Sequence, residues 1–111
     1  MGASLGIDAV DVKIYEAGGL SSDHDLEIFR AWQKAMPGYE WVYAKLDRYE
    51  GLTLFDTSHG MTIGLHFAHA LCGYGGTGPH TTVQILVGAG FGHQERLEAQ
   101  VFSEQQLTLT K

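Results

Sequence analysis

The chain opens on a period-two pattern. Val10, Val12 and Ile14 fall on one face and Asp11, Lys13 and Tyr15 on the other, as in a half-buried strand. Glu16-Ala17-Gly18-Gly19 interrupts it as a loop. The period then lengthens. Leu26, Phe29, Trp32 and Met36 recur three or four apart and predict a helix with one apolar stripe, Trp32 included as core. Ser22 can cap this helix, with Asp25 three residues on and Asp23 at the positive end of the dipole. Pro37-Gly38 stops it.

Alternation returns at Glu40–Arg48, where Val42, Ala44 and Leu46 oppose Trp41, Tyr43 and Lys45. Leu52–Phe55 and Met61–Ala68 read as two more strands around the turn Asp56-Thr57-Ser58-His59-Gly60. In Met61–Ala68, Met61, Ile63, Leu65 and Phe67 face one way and Thr62, Gly64 and His66 the other. A glycine loop, Cys72–Pro79, leads to a short helix over His80–Val87, with Pro79 suited to a first turn and Gly88 and Gly90 as terminators. Leu97–Ser103 and Gln106–Thr110 read as two final strands around Glu104-Gln105. The expected order is β-α-β-β-β-α-β-β, an α+β fold with a mostly antiparallel sheet and two helices on one face.

Length adds that residues 1–111 form one domain, too small for a barrel of eight β/α units. A net charge of −6 argues against a duplex nucleic-acid partner, which needs a basic footprint. One cysteine excludes a disulfide framework and a cysteine zinc site. Met1–Gly6 has neither the basic nor the apolar region of a signal peptide, and Gly6 fails the myristoylation pattern. No apolar run is long enough to span a membrane. The expectation is a cytoplasmic protein without a membrane partner.

Charge is distributed unevenly. Thr57–Gln94 holds no Asp, Glu, Lys or Arg, yet carries nine of the fifteen glycines and five of the six histidines. Such a stretch is expected to be buried, pressed against another subunit in a homo-oligomer, or wrapped around a ligand.

Within it, Gly73, Gly75 and Gly78 match G-x-G-x-x-G between a strand and a helix. Too little chain follows for a second βαβ unit, Glu98 lies inside a predicted strand, and Pro79 removes an amide that a phosphate could use, so a dinucleotide site is rejected. No P-loop signature is present. What remains is either a tight strand-to-helix turn or a smaller anion site made of loop amides and the helix N-terminus. The string Phe67-Ala68 … Gly73-Tyr74-Gly75-Gly76-Thr77-Gly78-Pro79 resembles the G-Y-G-G/S-G-P segment of small uncharacterised bacterial and phage proteins, over about residues 61–91, with Leu71-Cys72 where those carry an aromatic. That resemblance implies a recurring loop and no particular activity.

The histidines and the cysteine point elsewhere more weakly. His66 and His69, three apart on a strand, face opposite ways and do not converge on a metal; His80 or His93 would be needed as well, and no carboxylate is near in sequence. His80-Thr81-Thr82 is half of a two-histidine phosphodiesterase signature, without its partner. Cys72 is expected to be a small buried hydrophobe rather than a nucleophile.

Trp41 and Tyr43, with Lys45 on the same strand face and Arg48 near its end, offer a stacking surface beside a cation. The sequence therefore points to a non-enzymatic binder of a small, anionic, nucleotide-like molecule, needing no cofactor or metal and acting as a sensor or a phage-type sponge for an immune signal. The ligand residues would be Gly73, Tyr74, Gly75, Gly76, Thr77, Gly78, His80 and Thr81, with Trp41 and Tyr43. An acidic immunity or inhibitor module that covers a basic partner is the alternative, and a small histidine-dependent hydrolase the third reading.

Overall fold

The computed structural model describes residues 12–111. Val10 and Asp11 of the first expected strand, and the features of Met1–Gly6, lie outside the described residues.

The elements are β1 (Val12–Glu16), α1 (Ser22–Ala35), β2 (Tyr43–Asp47), β3 (Gly51–Asp56), β4 (Thr62–Phe67), α2 (Thr77–Gly88), α3 (Gln94–Ser103) and β5 (Gln106–Thr110). The strands form one sheet in the order β1-β4-β3-β2-β5. Among the described residues, only the β1–β4 pair is parallel. The fold is thus α+β with a mostly antiparallel sheet.

Register assigns the faces. Leu107, Leu46, Leu52 and Phe67 stand in one row across β5-β2-β3-β4, and Leu109, Ala44, Leu54 and Leu65 in the next. Both rows pack into one hydrophobic cluster with Phe29 of α1, Val83, Ile85 and Leu86 of α2, and Leu97 and Val101 of α3. The helices therefore cover this face alone. Each fully buried Leu, Ile or Phe of the cluster contributes roughly 1.5–3 kcal/mol by leaving water.

No described helix covers the opposite face. One of its rows runs Ile14, Gly64, Phe55, Tyr43 and Thr110, and another Glu16, His66, Thr53, Lys45 and Thr108. Tyr43 stacks on Phe55 at 4.5 Å. Gly64 leaves room for Phe55 and Ile14, since a Cβ there would lie 3.1 Å from Phe55 Cε1 and 3.0 Å from Ile14 Cγ1.

Three expectations change. The segment Leu97–Ser103 is not a strand but most of α3, so the order over the described residues is β-α-β-β-β-α-α-β with three helices. Leu97, Ala99 and Val101 fit period two, but Leu97 and Val101 are also four apart. They are the buried residues of α3, whereas Ala99 is exposed. Gln94 to Gln100 are nearly all strong helix formers, which decides between the two periods. The cap of α1 is Ser21, one residue earlier than expected: its backbone is extended and its Oγ accepts from the His24 amide at 3.1 Å. Finally, α2 starts at Thr77 rather than His80, with Pro79 inside its first turn. Among the described residues no helix is long and apolar enough to cross a membrane.

Candidate functional site

The glycine loop leaves β4, passes the end of the sheet and enters α2. It is tied down where the Gly73 amide donates to the Val101 carbonyl at 2.8 Å. Gly73 has φ +85°, a left-handed conformation that favours glycine. Gly75, Gly76 and Gly78 do not share it. Their role is spatial. The Tyr74 side chain folds back along the loop, with its hydroxyl 2.9 Å from the position a Gly78 Cβ would take and its ring 2.9 Å from that of Gly76. Gly78 of the motif, and Gly76 beside it, are therefore accounted for by the tyrosine they pack against.

At the start of α2, Gly76 is the N-cap and offers no side chain to the first amides, and no acid occupies the first turn. Thr77 and His80 are exposed here, whereas Gly78, Pro79 and Thr81 are buried. Thr81 thus faces inward.

The turn between β2 and β3 brings a cation to this loop. Asp47 closes the turn by accepting from the Tyr49 and Glu50 amides at 2.8 and 2.9 Å and from Gln106 Nε2 at 3.1 Å. The Glu50 amide most of all, then those of Tyr49 and Gln106, hold its carboxyl below the usual range. Arg48 is then anchored by Gln105: its amide donates to the Gln105 carbonyl at 3.0 Å and Nη1 to Oε1 at 3.3 Å. The guanidinium lies 5.6 Å from the Tyr49 ring centre and 5.5 Å from that of Tyr74. All ion pairs among the described residues involve histidines, so no carboxylate comes within 4.0 Å of Arg48. Tyr49 is 80% exposed. A cavity of about 400 Å³ adjoins the guanidinium, lined by Arg48, Tyr49, Gln105 and their neighbours.

Trp41 and Tyr43 do not join this group. Tyr43 lies on the uncovered sheet face against Phe55. Trp41 precedes β2, is buried, and stacks on Tyr39 at 5.7 Å. It belongs to the opposite end of the strand from Arg48.

Three histidines have carboxylates beside them; those of His66 and His69 are brought by the fold from 50 and 44 residues away. His66 Nδ1 lies 2.7 Å from Glu16 Oε1, and its Nε2 lies 2.6 Å from the Glu50 carbonyl. Both partners are acceptors and both ring nitrogens are used, so the ring is a clamp between β1, β4 and the β2–β3 turn. The His69 amide donates to Asp25 Oδ2 at 2.9 Å, and its Nδ1 is 3.8 Å from the same oxygen, too far for a hydrogen bond. Asp25 is fully buried; its Oδ1 has no hydrogen-bond partner among the described residues and lies against Gly19, where any side chain would collide with it. His59 Nδ1 lies 3.4 Å from Asp56 Oδ2 and 3.1 Å from Ser58 Oγ.

That Asp-Ser-His group is not a nucleophile relay. Ser58 Oγ donates to Asp56 Oδ1 at 2.6 Å and meets His59 through the same nitrogen that faces the carboxylate. Asp56, buried, also accepts from the Ser58 and Glu40 amides. Burial pushes its carboxyl up, but Ser58, Glu40 and His59 together hold it below the usual range. Among the described residues no three His, Cys, Asp or Glu side chains gather where they could hold a metal. Cys72 is fully buried, and desolvation above all raises its thiol to about 11.

Comparison with family models, curated proteins and solved structures gave no match for the chain.

Proposed function

We propose that the protein binds a small, phosphate-bearing, nucleotide-like molecule without turning it over, at the end of the sheet where the glycine loop meets the β2–β3 turn. The observation that carries this reading is Arg48, a guanidinium with no carboxylate partner among the described residues, which lies against the rings of Tyr49 and Tyr74, with the start of α2, lacking a side-chain cap, two residues beyond Tyr74. A guanidinium grips phosphate through two parallel hydrogen bonds, and tyrosine faces stack on bases. Thr77 and His80 are exposed at the same helix start. Thr81, Trp41 and Tyr43 drop out of the proposed site, and Arg48 and Tyr49 enter it. The thiol of Cys72 and the doubly occupied ring of His66 favour binding over turnover. Such a binder suits a sensor or a sponge that sequesters a signal nucleotide.

Thermal shifts against mono-, di- and cyclic nucleotides test this. A true ligand at a hundredfold excess over Kd adds ~2.7 kcal/mol of stability. Arg48→Ala is expected to weaken the effective ligand at least about tenfold, which is 1.4 kcal/mol. Full affinity in Arg48→Ala would sink the assignment.

The protein-partner reading has its own support. Val12, Ile14 and Tyr15 of the edge strand β1 are all exposed, a surface on which another chain, including a second copy, can add a strand. Native mass spectrometry that finds only the monomer would count against a homo-oligomer.

A further inference from the structure

The aromatic residues left out of the proposed site make a groove of their own. The C-terminal half of α1 and the segment that follows it line a cavity of about 450 Å³ with Trp32, Met36, Tyr39 and Trp41. Its volume falls within the range of small-molecule sites. The rings form a connected set: Trp32 meets Tyr39 edge-on at 5.7 Å, and Tyr39 stacks on Trp41 at 5.7 Å.

Arg30 and Lys34 also line it. They are four residues apart on α1, so they lie on one helix face, where like charges repel. Neither has a carboxylate within 4.0 Å among the described residues. Lys34 in the last turn answers the negative end of the helix dipole. Arg30 lies a full turn earlier, beyond that effect. Two unpaired cations beside an aromatic wall, in a chain of net charge −6, are complementary to an anion that carries a ring.

We infer that this groove is a second binding site, for a small planar aromatic anion whose charged group, phosphate or carboxylate, pairs with Arg30 and Lys34. It is separate from the site at Arg48. Trp41 and Arg48 bracket β2 and are seven residues apart, or roughly 23 Å along an extended strand, so no mononucleotide spans both.

The two tryptophans of the chain are Trp32 and Trp41, so its two indole N–H signals in a proton–nitrogen correlation spectrum both report on this groove. The experiment titrates the whole protein with AMP and with benzoate, one for each charged group, using adenosine and inorganic phosphate as controls. AMP, benzoate or both are expected to move the indole signals saturably, and the controls to bind at least about tenfold more weakly than AMP. A difference between the AMP and benzoate arms identifies the headgroup. The surface double variant Arg30→Ala/Lys34→Ala should keep the rest of the spectrum and lose at least about tenfold in affinity, or 1.4 kcal/mol. Arg48→Ala should leave the titration unchanged. The inference is overturned if neither probe moves the indole signals by ~10 mM, a concentration beyond even millimolar affinity. It also falls if the double variant binds as the parent does, or if the response disappears in Arg48→Ala, which would assign the ligand to the other end of the sheet.

Discussion

Two buried side chains carry opposite perturbations, and both can be measured. Asp56 titrates below its ordinary value of 3.8 because the donors around it outweigh its burial. Its contribution to stability is therefore complete above the unfolded value and is lost as pH falls through 3.8 toward the folded value. Asp56→Asn keeps the shape but gives up part of this acceptor set. It should cost roughly 1–3 kcal/mol at neutral pH and flatten the acid limb of a melting-temperature profile. An unchanged acid limb would show that the carboxylate is not held as described. Cys72 shifts the other way, to about 11, and is fully buried. Its modification by iodoacetamide at pH 8 should be slow in the native protein and fast in denaturant; equal rates would contradict its burial. The fates of these two residues were partly legible. Asp followed by Ser two residues on announces a turn, and a lone cysteine among apolar neighbours announces burial. The pairing of His66 with Glu16 was not legible, because fifty residues separate them and only the parallel register of β1 and β4 brings them together.

Among the elements, the turn between β2 and β3 is the least replaceable connection. Gly51 has φ +99°, and a Cβ there would strike the Phe67 carbonyl oxygen of the neighbouring strand end. Gly18 also has positive φ, but nothing lies within 4 Å of the Cβ it would carry. Alanine at Gly18 should cost about 1 kcal/mol from the backbone alone. Gly51→Ala should cost at least about 1–2 kcal/mol more, because a backbone atom must also move. Equal denaturation midpoints for the two variants would refute this difference. The strands and α1 were readable because their periods are unambiguous. The failure at α3 has a physical source: apolar residues at 97, 99 and 101 satisfy both periods, and the choice depended on whether Ala99 was needed in the core. Helix propensity over Gln94–Gln100 carried the answer, and alternation obscured it.

Across the whole molecule, one cluster joins the three helices to β2, β3, β4 and β5, so unfolding should be a single transition. Scanning calorimetry should give roughly 70 kcal/mol near 60 °C for the described part of the chain. Two resolved peaks would break the one-domain reading. The candidate site was legible in part at this scale. The loop and the start of α2 announce themselves in the glycine string, but Arg48 arrives from a turn whose position depends on strand order, which periodicity does not encode. For the same reason Trp41 looked like a partner of the loop and belongs to the far end of the sheet. Strand order also governs how the chain emerges during synthesis. The meander β2-β3-β4 is local in sequence, whereas β5 follows nearly sixty residues after β2 and lies along it. Until it does, β2 presents a bare edge of unpaired backbone groups, and Ala44 and Leu46 lack the leucines that stand beside them in the finished sheet. A chain cut short before Gln106 is therefore exposed to pairing with its own copies along β2.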